Sequence, residues 1–140
     1  MNRTFELLYR YSLGENEEQT RFDVAYPVMK KYELNAHRFT RCFFLPYHLQ
    51  DDPPIPTHPA VTVTRERPHC VYTGSYQGVI TYKNDRKAVS NLQRQLRQDG
   101  LGNCFYKKNH LFLRAGYGPP VSSNVRTVEI SLVKKFNQKC

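Results

Sequence analysis

The sequence predicts an α+β domain assembled from two related halves, and three observations lead there. Two segments carry apolar residues at helical spacing, several runs alternate apolar with polar residues, and one pattern of helix, glycine, gap and strand occurs twice. The copies end a strand in Tyr26-Pro27-Val28 and in Tyr117-Gly118-Pro119-Pro120-Val121, with the tyrosines 91 residues apart. So long an interval marks a duplicated half-domain and not a solenoid array.

The first helix is expected over residues 3–13. Phe5, Leu8 and Tyr9 recur at helical spacing, Leu7 and Tyr11 widen the apolar face, and Gly14 can close the helix in a left-handed conformation. The acidic residues 15–18 then form a solvated loop. A strand follows over 22–28, where Phe22, Val24, Tyr26 and Val28 alternate with Asp23 and Ala25. Pro27 lacks a ladder donor and places this strand at an edge or bend. A turn around Asn35 leads to a second strand, 38–45. Five prolines within residues 46–59 forbid helix and central strand, so that stretch reads as an extended surface connector.

Val61 and Val63 begin a further strand that resumes over 70–76 and stops at Gly78. Thr81 or Asn84 caps a second helix running to Asp99. Ala88, Leu92 and Leu96 stack one turn apart with Val89 beside them, while Arg86, Arg94 and Arg97 face water. Gly100 closes it. Two last strands, 111–117 and 127–134, carry alternating Leu111, Leu113, Ala115 and Tyr117, then Val128, Ile130 and Leu132. The chain thus divides into a partial first half (1–45), the connector (46–59) and a second half (60–136), the first half lacking the strands that lead into the second helix.

A length of 140 residues suits one domain, given roughly 100 to 200 residues per domain. Such a domain folds without needing a metal or disulfide. The net charge of +9 is spread over nearly every segment, with Lys30-Lys31, Lys107-Lys108 and Lys134-Lys135 the only lysine doublets. No basic arm presents itself to a phosphate backbone, so nucleic acid is not an expected partner, while a positive surface favours an anionic ligand or acidic partner. Ten Tyr and eight Phe supply rings for a core. No run approaches the ~18 apolar residues of a membrane helix, and the start lacks a signal peptide's apolar region, so a soluble cytoplasmic chain without membrane insertion is expected. Cys42, Cys70, Cys104 and Cys140 stand too far apart for a zinc clamp or a thiol-exchange pair. They are expected as reduced thiols, with three connectivities open if the chain is secreted.

Nothing in the sequence forms a catalytic set. His37, His48, His58, His69 and His110 include no pair at helical metal spacing, and there is no nucleophile elbow, phosphate loop or dinucleotide fingerprint. A non-enzymatic protein is expected. Rings do stand beside cations in Tyr9-Arg10-Tyr11, Arg41-Cys42-Phe43-Phe44 and Phe105-Tyr106-Lys107-Lys108. Such pairing suits a flat, partly apolar anion, although core rings beside surface cations give the same pattern.

Particular stretches carry a resemblance. Asp52-Pro53-Pro54-Ile55-Pro56, then residues Val61-Thr62-Val63-Thr64-Arg65-Glu66-Arg67, then Val71-Tyr72 and Gly78 strongly resemble the central part of the SOUL haem-binding protein family. Leu96-Arg97-Gln98-Asp99-Gly100, Ala115-Gly116-Tyr117-Gly118-Pro119-Pro120 and Glu129-Ile130-Ser131-Leu132-Val133-Lys134 follow in the family's order. The resemblance implies a twisted, pseudo-symmetric antiparallel β-barrel of duplicated halves flanked by two helices, here a short form whose first half lacks the family's leading hairpin. It also implies reversible binding of haem or another tetrapyrrole in an open apolar groove, without catalysis, as a haem carrier or buffer. On matching positions the groove falls to Phe5, Leu8, Tyr9 and Arg10 of the first helix and to Val121 and Ser122, with Arg10 pairing a propionate. An axial ligand stays open among His37, His48 and His110. The alternative is an interaction module resembling a cell-death motif, using Leu92, Leu96 and Asp99 of the second helix. Strand edges left without the hairpin invite self-association.

Overall fold

The computed structural model describes residues 2–33, 38–107, 111–117 and 125–135. It is an α+β fold of two helices and one antiparallel five-stranded sheet. The elements run α1 (Arg3–Ser12), β1 (Val28–Glu33), β2 (Arg38–Cys42), β3 (Val71–Gly78), α2 (Tyr82–Gln98), β4 (Leu111–Gly116) and β5 (Arg126–Val133). In space the strands lie in the order β2-β1-β4-β5-β3. The sheet is not closed, so the described strands do not form the anticipated barrel; β2 and β3 are its edges. The pairs β1 with β2 and β4 with β5 meet at a seam between β1 and β4, and one helix precedes each pair.

Both helices follow from local chemistry. Asn2 caps α1, its side chain accepting from the Thr4 N–H at 3.1 Å, and Gly14 takes φ +108° beyond the last turn. Thr81 caps α2 by accepting from the Asn84 N–H. Arg86, Arg94 and Arg97 face water, as their spacing requires. The opposite stripe packs Val89 and Leu96, with Ala88 and Leu92, onto Val128, Ile130 and Leu132 of β5 and Phe112 of β4. Gly74 of β3 lies under Leu92: a Cβ there would stand 3.7 Å from Leu92 Cδ1, an ordinary packing contact. The helix covers the β3, β5 and β4 part of one sheet face and leaves the β1 and β2 part of that face without it.

Several expected elements differ. Residues 22–27 are not a strand, which begins only at Val28. The Phe22 N–H is spent on the Ser12 carbonyl at 3.0 Å, its ring sits edge-on to Tyr11, and Pro27 has no N–H to offer a ladder. Residues 61–63 are not a strand either, because the Val61 N–H turns back to the His58 carbonyl. The second strand stops at Cys42, short of 45. Strict alternation of burial fails in β4, where consecutive Phe112 and Leu113 are both buried, Phe112 in the core beneath α2 and Leu113 on the opposite face. The turn around Asn35 lies outside the described residues.

The acidic loop is stitched rather than free. Glu17 N–H donates to the Ile55 carbonyl at 2.9 Å, Ile55 N–H donates to Glu18 Oε2 at 2.9 Å, and Thr57 Oγ1 donates to the Glu15 carbonyl. Tyr11, on the buried side of α1, gives its hydroxyl to the Pro54 carbonyl at 2.7 Å. The proline-rich connector is therefore a clasp around the C-terminal end of α1. Cys42 and Cys70 are free thiols, whereas Cys104 is disulfide-bonded, so the expectation of reduced cysteines fails at that position.

Candidate ligand pocket

Where α2 leaves the sheet uncovered, a pocket of about 480 Å³ opens. Its floor follows from strand register. Lys30 of β1 lies opposite Arg41 of β2 on one side and Arg114 of β4 on the other, so three cations occupy adjacent positions in one row across the sheet. The same row continues into Ile130 and Gly74 beneath α2. One step along, Phe39, Tyr32 and Phe112 form a parallel row of rings, with Tyr32 stacked on Phe112 at 4.7 Å and 14°. Like charges directly opposite on neighbouring strands destabilise a sheet. A row of three needs compensation.

Part of that compensation is Asp85, fully buried in the first turn of α2. Its Oδ2 accepts from Arg114 Nη1 at 3.2 Å and its Oδ1 from the Tyr76 hydroxyl at 2.7 Å. One carboxylate cannot neutralise three cations. Lys30 rests its ammonium 3.9 Å from the Phe39 ring centroid and donates to the Tyr32 hydroxyl at 3.3 Å. Burial first, then Arg114 and Arg41, push its pKa down to about 8, against the pull of Asp85. Arg41 is likewise lowered by burial and by Arg114. Its Nε is buried without a hydrogen-bond partner. Burial, the Asp85 hydrogen bond and the Asp85 charge all raise Tyr76.

The walls add to the positive character. Arg126, at the start of β5, is a fourth cation on the lining, and no acidic residue joins it among the described residues. Asn2 and Thr81, the caps of α1 and α2, both line the pocket, so both helices direct their positive ends at it. Apolar surface comes from Phe5, Val28, Val79 and Ile80, with the Tyr32 and Tyr82 rings. This is a cationic, ring-lined pocket, more polar than an apolar groove.

Of the residues expected from the sequence, Phe5 alone lines it. Phe5 lies 5.9 Å from the Arg41 guanidinium, stacks along α1 on Tyr9 at 6.0 Å and meets Phe43 edge-on at 5.4 Å. Leu8 is half-buried and Tyr9 is 40% exposed, outside the lining. Arg10 is exposed and engaged, its Nε 2.6 Å from Glu15 Oε1. Val121 and Ser122 lie outside the described residues, as do His37 and His110. His48 is exposed in a short turn of 3₁₀ helix (Tyr47–Leu49). Among the described residues no three His, Cys, Asp or Glu side chains gather as a metal-holding group. The sequence reading singled out Arg41 as a cation beside rings without placing it in this site, and it missed Lys30, Tyr32, Asp85 and Arg114. A signal for them existed: each cation shares strand parity with a ring, and Asp85 stands on the same helical stripe as Ala88, Val89, Leu92 and Leu96.

The match with known proteins fits this fold. The family described as SOUL heme-binding protein matches residues 1–133. This chain belongs to the SOUL heme-binding protein family. Heme-binding protein 2 of Homo sapiens is 27% identical over 136 residues, covering 94% of this chain and 64% of the relative. Heme-binding protein 2 of Mus musculus is 26% identical over the same shares. The chain thus spans about 64% of the length of these relatives. Within the SOUL chain the match takes in every residue named above as lining the pocket.

Proposed function

We propose that this chain is a non-enzymatic binder of haem or a related tetrapyrrole, acting as a carrier or buffer. The observation that carries the reading is the pocket beside α1, where rings and a surplus of cations meet in a member of a family named for heme binding. A tetrapyrrole supplies a flat apolar body and carboxylates when bound. Phe5 meets that body inside the pocket, while Leu8, Tyr9 and Arg10 stand further along α1, outside its lining. The donors suit such a group: a buried guanidinium nitrogen without an acceptor is costly, and a carboxylate relieves it. His, Cys and Met are missing from the described lining, so this reading rests on ring and carboxylate contacts rather than on iron.

Titration with haem and with iron-free protoporphyrin tests it. Both are expected to saturate at micromolar concentration with similar affinity, and Phe5→Ala should weaken both. No saturable absorbance change with either would refute the reading. Docking through α2 has less support, since it needs Leu96, 5% exposed and part of the core, to leave its packing.

A further inference from the structure

We propose that the row of Arg41, Lys30 and Arg114 is a carboxylate-binding site, which receives the acid-bearing edge of the ligand at the inner end of the pocket. The proposal rests on the tetrapyrrole reading for the body of the ligand, and it assigns the acid contacts to the sheet instead of to Arg10. Three independent features converge on it. Strand register sets the three cations side by side with only Asp85 against them, which leaves a local surplus of positive charge. Arg41 Nε is a buried donor with no acceptor, and buried polar groups left unpaired are uncommon enough to need a reason. The caps of both helices line the same pocket, and helix starts favour an anion placed against them.

Alternatives for the cations are weaker. Surface solvation does not describe Arg114, whose side chain is held against buried Asp85. Arg10, the residue implied by resemblance, already has Glu15 at 2.6 Å, so an incoming carboxylate must compete for it. Arg41 and Lys30 have no carboxylate partner recorded among the described residues. A guanidinium and an ammonium side by side can share the two oxygens of one carboxylate, and Phe5 beside Arg41 meets the apolar part of the same molecule.

The experiment compares iron-free protoporphyrin with its dimethyl ester, in wild type and in Arg41→Gln, Lys30→Met and Arg10→Gln, by fluorescence titration of the whole chain. Wild type should bind the free acid about tenfold or more tightly than the ester, the scale of a charge-assisted hydrogen bond. Arg41→Gln and Lys30→Met should each erase most of that preference and leave ester binding unchanged. Arg10→Gln should keep it. Lys30→Met removes one of three repelling charges, so it should melt no lower than wild type, which separates lost binding from lost folding. Equal binding of acid and ester by wild type, or an unaltered preference in both row variants, overturns the site while the tetrapyrrole reading stands. If wild type binds neither porphyrin, that reading falls, and benzoate then decides the row. A saturable shift of the Arg41 Nε resonance that Lys30→Met weakens upholds the site; no shift overturns it.

Discussion

Asp85 bears the heaviest electrostatic duty in the molecule. Among the described residues it is the one acid set against the cationic row, fully buried and bonded to both Arg114 and Tyr76. Asp85→Ala leaves Arg114 buried beside Lys30 without its counter-charge, and a broken buried pair costs about 3–5 kcal/mol. Urea unfolding should show that loss, and a change below about 1 kcal/mol would contradict the pairing. Lys30 provides a test by pH. Folded Lys30 releases its proton near pH 8 whereas its ordinary value is 10.5. Between those values the unfolded chain binds more protons, so stability should rise with pH across that window. Tyr76, raised by burial and Asp85, acts with the opposite sign above its ordinary 10.0 and ends the rise. In Lys30→Met the increase in urea midpoint from about pH 7 to 9.5 should flatten; an equal slope in both proteins would show that Lys30 is not its source. These residues were hard to read in advance because a cation between rings in a strand looks the same whether it points to water or inward. Only the register of β1 with its sequence neighbour β2 and with the distant β4 puts Lys30 beside Arg41 and Arg114.

The helices were legible and some strands were not, for a physical reason. A helix satisfies its hydrogen bonds within itself, so the caps Asn2 and Thr81, the glycine after α1 and the Val89 and Leu96 stripe suffice to define it. A strand needs a partner. Residues 22–28 alternate as a strand should, yet the Phe22 N–H went to Ser12 before any ladder reached it. By contrast, β5 set its predicted Val128, Ile130 and Leu132 on one covered face, although Ser131 between the last two is buried as well. The clasp around α1 was likewise invisible, since no local pattern shows that a tyrosine will reach a carbonyl 43 residues away. Tyr11→Phe should lower stability by about 1 kcal/mol through that one bond. Faster amide exchange at Glu17 and Ile55 should accompany it, and unchanged exchange there would mean the connector holds without α1.

Among the described residues the sheet ends in two strand edges, β2 and β3, and the chain carries a net charge of +9. Unpaired edges invite pairing between copies, and like charge holds copies apart. Sedimentation should therefore show association that grows with protein concentration and with added salt, as screening removes the repulsion. A monomer at every concentration and salt level would show that the edges are protected.

Two helix starts aimed at one crowded row of cations set like charge against like charge inside the fold. An acid seated there would be the last piece of the fold as much as its cargo, and anything that binds only the native state stabilises it by mass action. Copies lacking that piece would open more often and be cleared sooner. The number of such molecules in a cell would then follow the supply of ligand.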